Sequence, residues 1–198
     1  MEVKPIVLIG KIIQLQPLTL DHIPGLFAAS DPAIWKYMLY GDITTENDMR
    51  NWVQDMLERA ERGTDLPFAV VDLTSGREVG ATRFLEIRPQ HKGLEIGGTW
   101  YGPKYQRTGV NTECKYLLLK HAFETLGCIR VQFKADSRNE RSIKAIKRIG
   151  AKSEGILRNH ILLPDGTYRH SVYFSILADE WSEVKKKLEK MHGLQLAE

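Results

Sequence analysis

Cysteine is scarce in this chain, with Cys114 and Cys128 the two among 198 residues. Neither stands in a C-x-x-C pair or beside a His-rich cluster, which argues against a zinc site and a disulfide framework; no metal is expected. Both lie in apolar stretches and read as small buried hydrophobes. Long hydrophobic runs are missing too, since no segment approaches the roughly 20 apolar residues that span a bilayer. At the N-terminus no basic stretch leads into an apolar run with a small-residue cleavage site, and residues 6–9 are too few for a signal peptide. A cytoplasmic protein without membrane attachment is the default expectation. Charge of one sign does not prevail either: 28 Lys and Arg face 25 Asp and Glu, a net +3. That excess, with no strip of interleaved aromatic and basic residues, gives no case for nucleic acid. The Walker pattern G-x-x-x-x-G-K and the dinucleotide pattern G-x-G-x-x-G are both absent, which disfavours nucleotide hydrolysis and dinucleotide binding.

What is present suits a soluble globular protein. Hydrophobic residues make up 42% and charged residues 27%, enough to bury a core, and the length fits one domain over residues 1–198. Alternation of apolar and polar residues predicts strands near 12–17 and 129–135, a mostly apolar run predicts one buried on both faces at 67–73, and further strands are expected at 78–87 and 94–101. Two more strands, 152–163 and 167–177, are joined by the turn signal Pro164, Asp165, Gly166. Helical spacing marks 19–29, 45–62, 110–126, a short helix before Gly150 opened by a capping box at Ser137, and a last helix from Asp179. This order gives an α+β fold whose mostly antiparallel sheet contains one strand-loop-helix-strand unit in the middle.

Chemistry concentrates where strand 94–101 leads through a polar loop into the helix beginning at Gly109. A helix N-terminus offers unpaired N–H groups and the positive end of a dipole, a natural seat for a phosphate. Gly109 lets backbone approach closely. Lys104 and Arg107 add charge, Thr108 and Thr112 add hydroxyls, and Asn111 adds an amide donor. An ordinary loop and helix cap would use the same residues.

The stretch Gln106-Arg107-Thr108-Gly109-Val110-Asn111 resembles the [Q/R]-x-x-G-x-[G/A] pyrophosphate motif of the GNAT superfamily of N-acetyltransferases, with Asn111 where Gly or Ala is usual. Downstream, Asn139, Ser142, Gly150 and Ala151 are similar to the N-x-x-S…G-F segment of the RimJ/RimL-like branch, with Ala151 in place of Phe, and Glu154-Gly155 matches the E-G that follows there. The resemblance covers roughly residues 94–173. It implies a GNAT-like mixed sheet, mostly antiparallel, in which a parallel pair splays apart, here strands 94–101 and 129–135, with the pantetheine arm of acetyl-CoA in the gap. It also implies that backbone N–H groups of Arg107, Gly109 and Asn111, in a loop with Gln106, Thr108 and Val110, hold the pyrophosphate near Thr112. Asn139 would bond the pantetheine arm; as a helix-start residue it has an ordinary explanation too.

Amide formation from a thioester needs a neutral amine, a stabilised oxyanion and a protonated leaving thiolate. Glu95, on one strand face with Gly97 and Thr99 by parity, is the candidate base, against a plain ion pair with Lys or Arg, and with Glu86 and Glu154 as the other carboxylates open to the role. The family pattern places the oxyanion N–H near Thr99 or Trp100. Many members supply a tyrosine hydroxyl four residues before Gly150; that position is Ile146, and Ser142 is the substitute acid, against a serine bonded back into its helix. Trp35, Tyr37, Tyr40, Trp52, His160, Tyr168 and His170 are available to an acceptor groove or to the core. The expected reaction is acetylation of a primary amine, a protein N-terminus or a small molecule. The alternative is a CoA-binding sensor or scaffold without turnover. Either would be a monomer or a homodimer, with the edge near the last hairpin available for pairing.

Overall fold

The computed structural model describes residues 1–163 and 165–193, so Pro164 of the expected turn lies outside the described residues. The strands are β1 (Leu8–Ile9), β2 (Ile13–Pro17), β3 (Leu66–Asp72), β4 (Glu78–Arg88), β5 (Gly93–Tyr101), β6 (Arg130–Asp136), β7 (Lys152–Leu162) and β8 (Tyr168–Leu177). They form one sheet in the order β1-β2-β3-β4-β5-β6-β8-β7. β5 and β6 run parallel; the other neighbours run antiparallel. The helices are α1 (Ile23–Ala29), α2 (Pro32–Trp35), α3 (Glu46–Glu61), α4 (Val110–Lys120), α5 (Glu140–Arg148) and α6 (Trp181–His192). The α+β reading therefore holds, including its parallel pair. The short β1 goes beyond the expected strands.

Local chemistry accounts for the boundaries. Thr45 Oγ1 accepts from Asp48 N at 3.1 Å while the Asp48 carboxylate accepts from Thr45 N at 2.8 Å, a reciprocal cap that starts α3. α4 runs into a wider turn, His121–Thr125, and Gly127 leaves it at φ +66°. The start of α5 differs from expectation: its cap is Asn139, which accepts from Ser142 N at 3.0 Å, rather than Ser137. Ser137 instead lies in the turn that follows β6, closed by Asn139 N–H to Asp136 O, and its own N–H bonds His170 O.

Hydrophobic packing lies on both faces of the sheet. Val131, Phe133, Ala135, Val172, Phe174 and Ile176 join α4 and α6 residues such as Cys114, Leu118 and Leu188 in one cluster. Ala69, Ala81 and Trp100 meet α1–α3 in the other. Strand alternation then turns Gln132, Lys134, Ser171 and Tyr173 to the face away from α4.

The middle of the sheet is irregular in two ways. Pairing of β5 with β6 stops at Glu95 opposite Gln132, although β5 continues to Tyr101 and β6 to Asp136. The parallel strands thus part into a fork. Meanwhile β5 bulges against β4: Arg83 pairs with Gly97 and Ala81 with Trp100, so Gly98 and Thr99 stand opposite Thr82. Gly98 takes φ +57°, and a Cβ there would meet Arg83 Nε at 3.0 Å. The extra residue reverses the alternation. Leu94, Ile96 and Tyr101 face α4, as does Thr99, which contacts Lys115 on α4. Glu95 and Gly97 face the other way, Gly97 toward Leu85 and the Glu95 carboxyl. The parity argument that grouped Thr99 with Glu95 and Gly97 fails at this bulge.

Candidate active site

The loop between β5 and α4 is braced by its own side chains. Gln106 donates through Nε2 to Tyr101 O at 2.9 Å and accepts from Arg141 Nη1 at 2.7 Å. Thr108 donates to Tyr105 O at 2.7 Å and accepts the N–H of Val110 at 3.3 Å. Arg107 between them takes φ +61°, a left-handed conformation that turns successive N–H groups into a concave anion seat. Gly109 has φ −66°, so its advantage is lack of bulk and not backbone freedom. Among the described residues, the N–H groups of Arg107, Thr108, Gly109, Asn111 and Thr112 meet no acceptor. Unpaired donors at the positive end of α4 suit a pyrophosphate. Within the motif, the N–H groups of Gln106 and Val110 are satisfied, by Pro103 O and by Thr108 Oγ1.

Two arginines that sequence reasoning passed over join this loop from α5. Arg141 holds Gln106, and Arg148 donates to Thr112 Oγ1 at 3.0 Å. Their i, i+7 spacing on a short helix was the available signal. At the start of α5, the Asn139 carboxamide oxygen is occupied by the cap, leaving its NH2 for a ligand. The Ser142 hydroxyl is half-buried and makes no hydrogen bond among the described residues, so it does not bond back into the helix. Ile146 is buried in the core, and no hydroxyl stands there.

Glu95 sits at the fork itself. It is 2% exposed, accepts from Gln132 Nε2 at 2.8 Å and pairs with Lys134 Nζ at 3.6 Å. The ion pair foreseen as its alternative role therefore exists, at the point where the parallel strands part. Around it lies a polar floor. His160 links Ser171 Oγ (3.0 Å) to the Tyr173 hydroxyl (3.4 Å). Burial, helped by Lys134 and Arg169, holds the His160 imidazole below its ordinary pKa. Burial raises the Tyr173 phenol.

On the opposite face, Lys115 of α4 is 6% exposed and donates to Thr99 Oγ1, which also bonds Thr82 Oγ1 at 2.8 Å. Burial pulls the Lys115 ammonium below its usual range. Sequence periodicity hid this lysine because α4 buries Thr112, Glu113 and Lys115 along with its apolar stripe.

The aromatic residues divide. Trp35, Trp52 and Trp100 pack together with ring centroids 5.4–6.1 Å apart, all buried, so they build core. The Trp100 side chain thus points away from the fork's α4 side, leaving its backbone for any oxyanion role. Tyr37 and Tyr40 are half-buried, and Tyr40 OH accepts from Arg83 at 2.7 Å. Tyr168 is exposed and His170 accepts from Asn159 N at 2.8 Å. Both cysteines are buried free thiols. No helix among the described residues is long and apolar enough to cross a membrane.

Comparison with known proteins agrees with this geometry. The family model for the acetyltransferase (GNAT) domain matches residues 13–152, and the chain belongs to that family. It is an acetyltransferase, which sets aside the sensor or scaffold without turnover. The uncharacterized N-acetyltransferase YnaD of Bacillus subtilis (strain 168) is 27% identical over 155 residues, 77% of this chain and 85% of its own length. The "Putative ribosomal N-acetyltransferase YdaF" of the same organism is 33% identical over 88 residues, 44% of this chain and 48% of its own length. The crystal structure of a GCN5-related N-acetyltransferase from Brucella melitensis is 27% identical with a TM-score of 0.89, covering 95% of this chain and 86% of that one.

Proposed function

We propose that this enzyme transfers the acetyl group of acetyl-CoA to a primary amine, and that it belongs to the RimJ/RimL-like branch, whose first acceptors to test are protein N-termini. The observation that carries this is the conjunction of the β5–β6 fork with the unpaired N–H groups opening α4. Those groups fit a pyrophosphate, and the fork leaves strand-edge amides of β5 and β6 free to hold an extended polar arm. Bound acetyl-CoA supplies an acetyl group activated as a thioester. Glu95, at the fork, takes the proton of the incoming ammonium, directly or through one water. A backbone N–H beyond the bulge, at Thr99 or Trp100, faces the carbonyl oxygen as charge develops on it. Ser142 Oγ holds the proton for the departing sulfur, a role open to it because its hydroxyl has no other partner among the described residues. Gln106, Thr108, Arg141 and Arg148 shape the phosphate loop. The test is thiol release from acetyl-CoA across a panel of amines and N-terminal peptides. Amine-dependent release with matching N-acetyl product is expected; release no faster with any amine than without contradicts the reading.

A further inference from the structure

Arg169 on β8 is 6% exposed, and its guanidinium makes no hydrogen bond or ion pair among the described residues. Nε is fully buried without a partner, while the terminal nitrogens reach accessible space. Arg83 shares the unpartnered Nε and a similar burial, but its terminal nitrogens have Asp65 at 3.2 Å and the Tyr40 hydroxyl at 2.7 Å, whereas those of Arg169 have no partner among the described residues. A guanidinium removed from water without acceptors is costly and finds compensation in a ligand.

The acidic neighbours of Arg169 favour its charge from a distance, but none bonds its guanidinium. Asp136 and Glu95 are the anions that act on it most strongly. Asp136 is occupied by Arg138, accepting from its N, Nε and Nη2 at 2.9, 3.0 and 2.8 Å. Glu95 accepts from Gln132 and pairs with Lys134, and makes no bond to Arg169. Arg169, Ser171 and Tyr173 alternate on one strand and share the face of Glu95. That face is turned away from α4, so phosphates seated at the start of α4 do not satisfy Arg169. The register, Asp136 opposite Ser171 with Arg169 two residues on, sets it toward the open end of the fork.

We propose that Arg169 binds an anionic group of the acceptor, and that the substrates are therefore primary amines that also carry a carboxylate or a phosphate. This rests on the acetyltransferase reading above and narrows it. Such an acceptor is matched at both ends, its ammonium by Glu95 and its anion by Arg169, which in planar bidentate geometry suits carboxylate and phosphate alike.

The experiment uses pairs differing only in the anion: a free amino acid and its carboxamide, phosphoethanolamine and ethanolamine, and peptides beginning Ser-Asp or Ser-Asn. Both kcat/KM by thiol release and, without acetyl-CoA, calorimetric Kd are measured. The acidic member of at least one pair should be preferred by about tenfold or more, with the preference lost in Arg169→Met and partly kept in Arg169→Lys. The small-molecule and peptide arms separate a free metabolite from a protein terminus. Equal treatment of both members throughout overturns the proposal, as does an Arg169→Met enzyme that loses neutral and acidic acceptors alike. Should Arg169→Met fail to fold, inorganic phosphate competing with the amine in the unaltered enzyme supports the proposal, and its failure to compete counts against it. If no amine is acetylated, the transferase reading fails, while the binding arm still decides whether Arg169 recognises the anion.

Discussion

Lys115 donates to the hydroxyl of Thr99 one residue past the bulge at Gly98, so a buried ammonium on α4 fixes the half of β5 that lines the fork. A second contact runs alongside it, from Tyr101 OH to Asn111 Oδ1 at 3.3 Å. Residues two apart on β5 thereby meet residues four apart on α4, which sets the spacing between the phosphate loop and the fork.

Lys115 is costly where it stands, since one hydroxyl is its hydrogen-bond partner and burial disfavours its charge. Lys115→Met keeps the stem and leaves the Thr82–Thr99 bond in place. Urea unfolding should show stability unchanged or raised by up to about 2 kcal/mol. A loss of that size would mean the ammonium has partners that stabilise it.

Glu113 is the reverse case. Its buried carboxylate accepts from the N–H groups of Lys11, Ile12 and Ile13 at 2.5, 2.9 and 2.8 Å, tying the chain ahead of β2 to α4. Gly10 belongs to the same arrangement, because a Cβ there would lie 2.4 Å from the Glu113 carboxyl carbon. Glu113→Ala strands those donors and should lower stability by about 3 kcal/mol or more. A change below about 1 kcal/mol by the same denaturation would show that water replaces the carboxylate without loss.

Ser142→Ala should slow transfer at saturating substrate by about tenfold to a hundredfold while the acetyl-CoA Kd moves by less than about twofold. Stopped-flow or steady-state thiol release gives the first number and calorimetry the second. Equal losses in both would make Ser142 a binding or structural residue.

Sequence alone carried the element order well, because strands such as Leu66–Asp72, buried almost throughout, and a capped α3 announce themselves through composition and cap chemistry. It could not place the Gly98 bulge: nothing in Gly97-Gly98 says that the pair holds an extra residue, and the presence of one decides the side on which Thr99 falls. Asn139 and Ser137 are both good caps, and only the turn made by Asp136, which accepts from Arg138 N, selects Asn139. Lys115 and Arg169 were invisible for a shared reason. Charged residues are expected outside, and their burial comes from strands and helices far away in sequence. The loop that opens α4, proposed above as the pyrophosphate seat, drew attention in the sequence because its chemistry is local: a glycine, small polar residues and a helix start within six positions.

Calorimetric titration of acetyl-CoA into the protein and into Gly109→Glu tests the central assignment most directly. The account predicts saturable binding to the unaltered chain and a loss of about a hundredfold or more in the variant, whose carboxylate would occupy the anion seat at the start of α4. Equal affinity in the two folded proteins would contradict it and place the cofactor elsewhere.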